Sequence, residues 1–449
     1  MTKVSNFTEG KILSPLLTFA IPVLFAMFLQ VMYGAVDLLI VGYFGFTTDV
    51  SAVATGSQVM MTITSIINGF AMGVTILLGQ KLGQGKSNEA GNVVGSGICI
   101  FAVISVIITT IMLIFSVPIS RFMNAPPQAF DDTVLYINIC SSGTIFIVAY
   151  NVICSIFRGL GDSKTPLITV EIACFFNIAG DLLLVGVFGM GVKGVAIATI
   201  FAQAISVVFS IIIIKKRGVP FEFSRNSIHF HKGISSQILR YGAPIALQDA
   251  LVNLSFLAIT TIVNSLGLIA SAGIGIAEKL AGFLMLVPSA FGQSVAAFVS
   301  QNYGAKKYNR AKTTLAYGIA CSLCFGIVMG YFSFFHGNLL TGIFSQDIAV
   351  VNAAWDYLKA YSFDCILTSF MFCFLGFFNG CGKTTFVMFQ GIFGAFCIRI
   401  PLSYIISRIS KTSLFYIGLA TPASTLVQII FCLLYFAKLS KIFKKNEDL

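Results

Sequence analysis

Of the 17 carboxylates in this 449-residue chain, six fall inside long apolar runs: Asp37, Glu171, Asp181, Asp249, Glu278 and Asp364. A charge at bilayer depth is costly, so an acid kept there marks an ion path, a substrate path or a proton relay by default. Amide and hydroxyl side chains in the same runs widen the set to Gln30, Tyr33, Gln58, Asn68, Asn177, Thr199 and Gln248. Together they offer oxygen ligands and proton acceptors. Other chemistries lack their residues. His229, His231 and His336 lie in or near the gaps between runs and form no HExxH, and no GxSxG elbow occurs. The one CxxC pair, Cys321 and Cys324, sits within an apolar run, and the 11 cysteines read as small buried hydrophobes. GKS at 85–87 and GKT at 382–384 lack the first glycine of a phosphate loop, having Gln80 and Phe377 there. Neither an enzyme nor a cofactor or structural metal is expected.

The elements that carry these residues are membrane spans. The chain is 57% hydrophobic and 10% charged, with a mean hydropathy of +0.92, against about 25% charged in soluble chains. Forty-four Phe, 41 Gly and 11 Pro suit transmembrane helices. Charged, Gly-rich and Pro-rich gaps cut the chain into twelve apolar segments, at 12–43, 50–79, 91–117, 131–157, 165–188, 192–214, 238–266, 269–300, 311–336, 350–378, 384–407 and 413–438. The run Ile12–Phe44 is too long for a signal peptide, so the first helix is retained. Of 28 Lys and Arg, 21 lie in the termini and even-numbered gaps, and Arg121, Lys193, Arg408 and Lys411 in the odd-numbered ones. Lys279, Lys359 and Arg399 lie within segments. Both termini are therefore expected to be cytoplasmic. The net charge of +11 follows this distribution rather than forming a basic block, so no nucleic-acid partner is expected.

The two halves repeat. Pro22 in FAIP matches Pro244 in YGAP, and Gly45 in VGYFG matches Gly267 in VNSLG, both pairs at the same offset. GQKLGQGK at 79–86 matches SQNYGAKK at 300–307, and RGLGDSKTP at 158–166 matches NGCGKTT at 379–385, both at an offset shorter by a single position. Six segments separate partners, so the halves enter the membrane in the same sense, a parallel repeat typical of alternating-access transporters. The expected organisation is a six-helix lobe at 1–214, a cytoplasmic linker at 215–237 and a second six-helix lobe at 238–449.

At these landmarks the chain resembles the multidrug and toxic compound extrusion (MATE) family. The resemblance covers nearly the whole chain: AVDLLIVGYFG at 35–45, the GQ and SQ loops, the RGLGD loop, and a Pro in the first and seventh helices. It implies an all-α fold of two pseudo-symmetric six-helix bundles in a bacterial inner membrane. It also implies efflux of organic cations or drugs in exchange for protons or sodium, by a protein expected to act as a monomer in the bilayer.

Depth selects among the acids. Asp37 lies about 25 residues, roughly 38 Å of helix, from the inner start of the first helix, and Asp181 about 16 residues, roughly 24 Å, into the fifth. Both fall in the outer half, where Asn177, one turn from Asp181, and Thr199, near the outer start of the sixth helix, share their level. The resemblance to the DinF-type branch of the family implies that Asp37, Asn177, Asp181 and Thr199 bind the coupling cation, supported by Tyr33 and by Pro22, which lets the first helix bend. Two carboxylates out of water among neutral oxygens would share one proton near neutral pH or ligate sodium. The packing alternative is that Asp181 and Asn177 merely join helices.

The second half departs from the sodium-coupled NorM-type pattern. Asp249 comes earlier than that pattern's acid in the seventh helix, and Asp364 stands near, not at, its position in the tenth. Gln30, Asn68, Gln248, Asp249 and Asp364 are candidates for the substrate cavity, whose Phe-rich walls would suit planar cations. Glu278 adjoins Lys279 and is expected to form a local or interhelical ion pair. The rivals are a flippase of a lipid-linked saccharide, against which twelve rather than fourteen segments and a lone buried Arg399 count, and a non-transporting scaffold or channel, which needs no buried acids.

Overall fold

A computed structural model describes residues 6–221, 223, 227–409 and 413–447, with side chains to 445. Lys3, Arg225 and Lys411, used in the charge distribution, lie outside the described residues. Apolar runs offer their backbone no water, so helix, which satisfies each N–H and C=O within its own segment, is the form they take. The described regular structure is helical throughout.

Two compact units result. One comprises residues 21–246 together with Asn6, and the other Phe7–Ala20 together with residues 247 onward. Helix α1 (Leu13–Phe44) is thus shared: its start belongs to the second unit and its remainder, from one residue before Pro22, to the first. Helix α8 (Lys232–Asn264) is shared in the opposite sense, its division falling two residues after Pro244.

In the first unit α2 (Thr47–Gly83) packs against α3 (Ser87–Phe122), α4 (Phe130–Ser142) and α5 (Thr144–Gly159). Helix α6 (Lys164–Asp181) runs into a π-helical turn, Leu182–Val187, and packs along α7 (Gly191–Arg217). The fourth segment, expected as one span at 131–157, is broken: α4 and α5 meet at Gly143 with a bend of 53°. A Cβ on Gly143 would meet the Ile200 side chain of α7 at 2.5 Å, so the break makes room for that residue. Among the described residues eleven helices are long and apolar enough to span, and the bent pair, taken as one span, makes a twelfth.

In the second unit α13 (Ile348–Gly380) is the buried centre, packed by α9 (Leu268–Leu284), α10 (Leu286–Gly304), α11 (Tyr308–Phe335) and α17 (Ala420–Glu447). The short α12 (Gly337–Gly342) and α16 (Leu414–Gly418) lie beside it, and α14 (Thr384–Phe393) continues through a π-helical turn, Gly394–Arg399, into α15 (Ile400–Ser407). Lipid gives helices no hydrophobic reason to associate, so close backbone approach of small residues matters. Gly376 of α13 faces the Gly292 carbonyl of α10 so closely that any Cβ would collide with it.

The repeat is visible in the turns. After α2, Gly85 takes φ +72°, with Lys86 N–H donating to the Lys81 carbonyl at 3.0 Å; after α10, Lys306 takes φ +58°, with Lys307 N–H donating to the Asn302 carbonyl at 2.8 Å. After α5, Gly161 takes φ +79°, with Asp162 N–H bonded to the Phe157 carbonyl; after α13, Gly382 takes φ +71°, with Lys383 N–H bonded to the Phe378 carbonyl. Each is a left-handed helix stop closed by a bond to a carbonyl five residues back. Their spacing is that of the sequence repeat.

Candidate functional site

Three helices of the first unit bring the oxygen-bearing side chains together. Asp37 sits on α1 one turn beyond Tyr33; Asn177 and Asp181 are one turn apart on α6; Thr199 lies near the start of α7. Gly180 comes within van der Waals reach of Ala198, a Cβ there meeting that of Ala198 at 3.0 Å, so α6 and α7 cross closely one residue before Asp181 and one before Thr199. The π-helical turn starting at Leu182 follows Asp181 directly, a widened geometry frequent at functional positions.

The side chains that face Asp37 are Asp181, Asn177 and Thr199. Asp37 is 4% exposed, Asn177 1% and Asp181 0%. Even so, Asp37 Oδ1, both oxygens of Asp181, both polar atoms of the Asn177 amide and the Thr199 hydroxyl close no hydrogen bond. Buried polar atoms are nearly always partnered, so six orphans on four adjoining side chains form a polar centre with unspent bonding capacity. Two carboxylates, an amide oxygen and a hydroxyl suit a proton shared between acids or a hard monovalent cation ligated by oxygen. Among the described residues no cluster of three or more His, Cys, Asp or Glu suits a transition metal.

Tyr33 joins the site through Gln203, whose amide nitrogen donates to the Tyr33 hydroxyl at 3.5 Å and whose Oε1 is left without a partner. Sequence reasoning missed Gln203, although its place one turn after Thr199 in an apolar run was a readable signal. The other candidates lie apart. Gln30 and Asn68 are half-buried in the first unit, with no hydrogen bond to the quartet among the described residues, while Gln248, Asp249 and Asp364 belong to the second. Glu171 is exposed on α6. Glu278, expected in a local or interhelical ion pair, forms none among the described residues: Thr260 donates to it at 2.6 Å, and adjacent Lys279 points about 100° away on the same helix.

Comparison with known proteins follows the same layout. The MatE family model matches residues 22–183 and 244–405, two stretches that begin at the paired prolines. Among similar proteins, "Probable multidrug resistance protein YoeA" of Bacillus subtilis (strain 168) is 24% identical over 436 residues, 96% of this chain and 94% of that one. "Probable multidrug resistance protein NorM" of Thermotoga maritima is 24% identical over 429 residues, covering 94% and 91%. The solved structure titled "Crystal structure of MATE in the bent conformation" aligns over the full length of both chains with a TM-score of 0.93 at 20% identity. With a doubled six-helix architecture, a MATE fold and two family matches covering most of its length, the chain belongs to the MatE family of multi-pass membrane transporters and is not an enzyme.

Proposed function

We propose that the protein is a secondary antiporter that exports organic cations in exchange for protons or sodium bound at Asp37, Asn177, Asp181 and Thr199, with Tyr33 and Gln203 supporting them. The observation that carries this reading is the quartet of two carboxylates, an amide and a hydroxyl, six of whose polar atoms are buried without a hydrogen-bond partner. The export of drugs agrees with the printed names of its relatives, multidrug resistance and multidrug export proteins. The branch is read as DinF-type, the protein as a monomer of the bacterial inner membrane, and both termini and the 215–237 linker as cytoplasmic, on the distribution of basic residues.

In this mechanism an inward cation gradient loads Asp37 and Asp181 and alters the charge at the outer part of α1. Helix α1 shifts or bends at Pro22, and the bound organic cation leaves outward. The substrate must bind the two states unequally for the gradient to do work. Exchange of one proton for one univalent cation moves no net charge, so each pH unit, about 1.4 kcal/mol, supports about a tenfold cation ratio.

The test is efflux of ethidium from proteoliposomes under separately imposed proton and sodium gradients, wild type against Asp37→Asn. Loss of gradient-driven efflux in a folded variant supports the antiporter, and the effective gradient identifies its ion. Full export by the variant removes Asp37 from the mechanism; no transport by the wild type under either gradient favours the lipid-precursor flippase.

A further inference from the structure

The family matches in the two halves share one offset at both ends, residue 22 standing against 244 and residue 183 against 405, while the turns between stand closer by a single position. Carrying the first unit's quartet across by that offset leads to a second set of side chains. Asn177 maps to Arg399, Asp181 to Ser403, Tyr33 to Ser255 and Asp37 to Ile259, and beyond the matched stretches the same offset carries Thr199 to Thr421. The second set is also buried: Arg399 is 4% exposed, Thr421 2% and Ser403 0%. Arg399 Nε and the hydroxyls of Ser403 and Thr421 again close no hydrogen bond. A π-helical turn lies at 394–399 and ends on Arg399, ahead of the place the mapping gives the first unit's turn at 182–187.

The difference is charge. Both carboxylates are gone and a guanidinium has entered, on the only Lys or Arg that is fully buried among the described residues. Its Nη1 donates to Ser255 Oγ at 3.1 Å, and its plane lies 4.4 Å over the Phe256 ring. The opposing charge comes from a position outside the mapped set, Asp364 on α13, 3% exposed and adjoined by Thr425. Arg399 and Asp364 form no direct ion pair, and Asp364 Oδ1 has no hydrogen-bond partner. Tyr357, Tyr361 and Glu278, the last bonded to Thr260, are the other titratable groups within electrostatic reach.

We infer that Arg399 is a tethered cation standing where the repeat would otherwise hold a coupling ion, so that the second unit loads neither proton nor sodium and coupling is confined to the first. A mobile cation entering beside Arg399 meets a fixed like charge in a medium that screens poorly, and a mobile anion meets Asp364. Removing the guanidinium leaves Asp364 as a single buried carboxylate with hydroxyl neighbours, enough to hold one proton or one oxygen-ligated cation. The inference rests on the reading that a coupling cation binds at Asp37 and Asp181.

The experiment counts bound cations on purified protein, by sodium-22 binding and by proton uptake on acidification, as differences between variants. Asp37→Asn/Asp181→Asn is expected to retain no coupling cation. Arg399→Met on that background is expected to gain one sodium or one proton per chain, Arg399→Lys to gain none, and Arg399→Met with Asp364→Asn to lose the gain. A coupling cation retained by Asp37→Asn/Asp181→Asn with Arg399 intact overturns the inference, and that measurement needs no change at Arg399. No gain in a monodisperse Arg399→Met protein also overturns it, as does chloride-36 binding that Arg399→Met abolishes. The coupling reading itself fails separately, by Asp37→Asn retaining gradient-driven efflux.

Discussion

Phe7 is expected to be the clasp that holds the start of the chain on the second unit, and Phe7→Ala should free residues 7–11 without unfolding the rest. The ring is 1% exposed, stacked 3.6 Å from Phe298 and edge-on to Phe19 at 5.6 Å. Around it, Phe7 N–H donates to Gln301 Oε1 at 3.2 Å, and the Phe7 carbonyl accepts from Asn302 at 3.2 Å and from Arg310 Nε at 2.8 Å. Arg310 also donates to the Gly10 and Glu9 carbonyls at 2.7 Å, and Lys307 to the Thr8 carbonyl at 2.9 Å. Six such bonds contribute about 6–9 kcal/mol at about 1–1.5 each, and ordering five residues costs about 5–10 kcal/mol. These nearly cancel, so the buried ring, worth about 3 kcal/mol at the low end for Phe→Ala, carries the net attachment. Losing it raises the detached fraction about 150-fold, since 1.4 kcal/mol is a factor of ten. Amide hydrogen exchange read by mass spectrometry checks this. Faster exchange confined to residues 7–11 is expected; unchanged protection, or faster exchange throughout α10 and α13, would refute the reasoning.

Two further outcomes follow from the packing and the site. Gly376→Ala places a methyl against the Gly292 carbonyl and should destabilise by about 1–3 kcal/mol, whereas Gly282→Ala, with open space at its Cβ, should stabilise by about 0.5–1 kcal/mol through helix entropy; thermal melts in detergent should order the two on opposite sides of wild type. Gln203→Leu removes the donor to Tyr33 and should lower gradient-driven efflux partially, by about tenfold for a bond near 1.4 kcal/mol, while Glu171→Gln, exposed on α6, leaves it unchanged; equal effects of the two would remove Gln203 from the site.

Much of this architecture was legible because the membrane makes deviations conspicuous. Polar residues one turn apart in an apolar run, Asn177 with Asp181, already define a face, and loop motifs paired at a constant offset already define a repeat. What was not legible depends on partners distant in the chain. The break falls at Ser141, Ser142, Gly143 and Thr144, a short polar step too slight to end a segment by itself, and the residue it makes room for, Ile200, is on another helix. Glu278 turns to Thr260 on α8 rather than to its neighbour. Residues 6–11 have the composition of a loose terminus, and Asn302, Lys307 and Arg310, some 300 positions on, reveal that their carbonyls are bound. The π-helical turns have no sequence signature at all, being a one-residue surplus taken up where side chains must be re-aimed.

The duplicated halves differ in what they keep. A helix stop requires a left-handed residue and a bond to a carbonyl five residues back; these are backbone demands, met at Gly85, Gly161, Lys306 and Gly382 alike. Lys306 meets them without the glycine that its counterpart uses, at an αL cost of about 1–2 kcal/mol. The turn it makes is worth that strain: Lys307, bonded through its N–H to the Asn302 carbonyl, holds Thr8, and Asn302 and Arg310 beside it hold Phe7. Interior side chains face no such backbone demand. Once the helices cross where they do, the positions of Asn177 and Arg399 can carry an amide or a guanidinium with the same hydroxyl neighbours, and the chemistry of each unit changes while its frame stays. A charge substitution at either position should therefore alter ion binding with little change in the exchange protection of the four turns; loss of protection at the turns would mean that the interior charges also hold the frame.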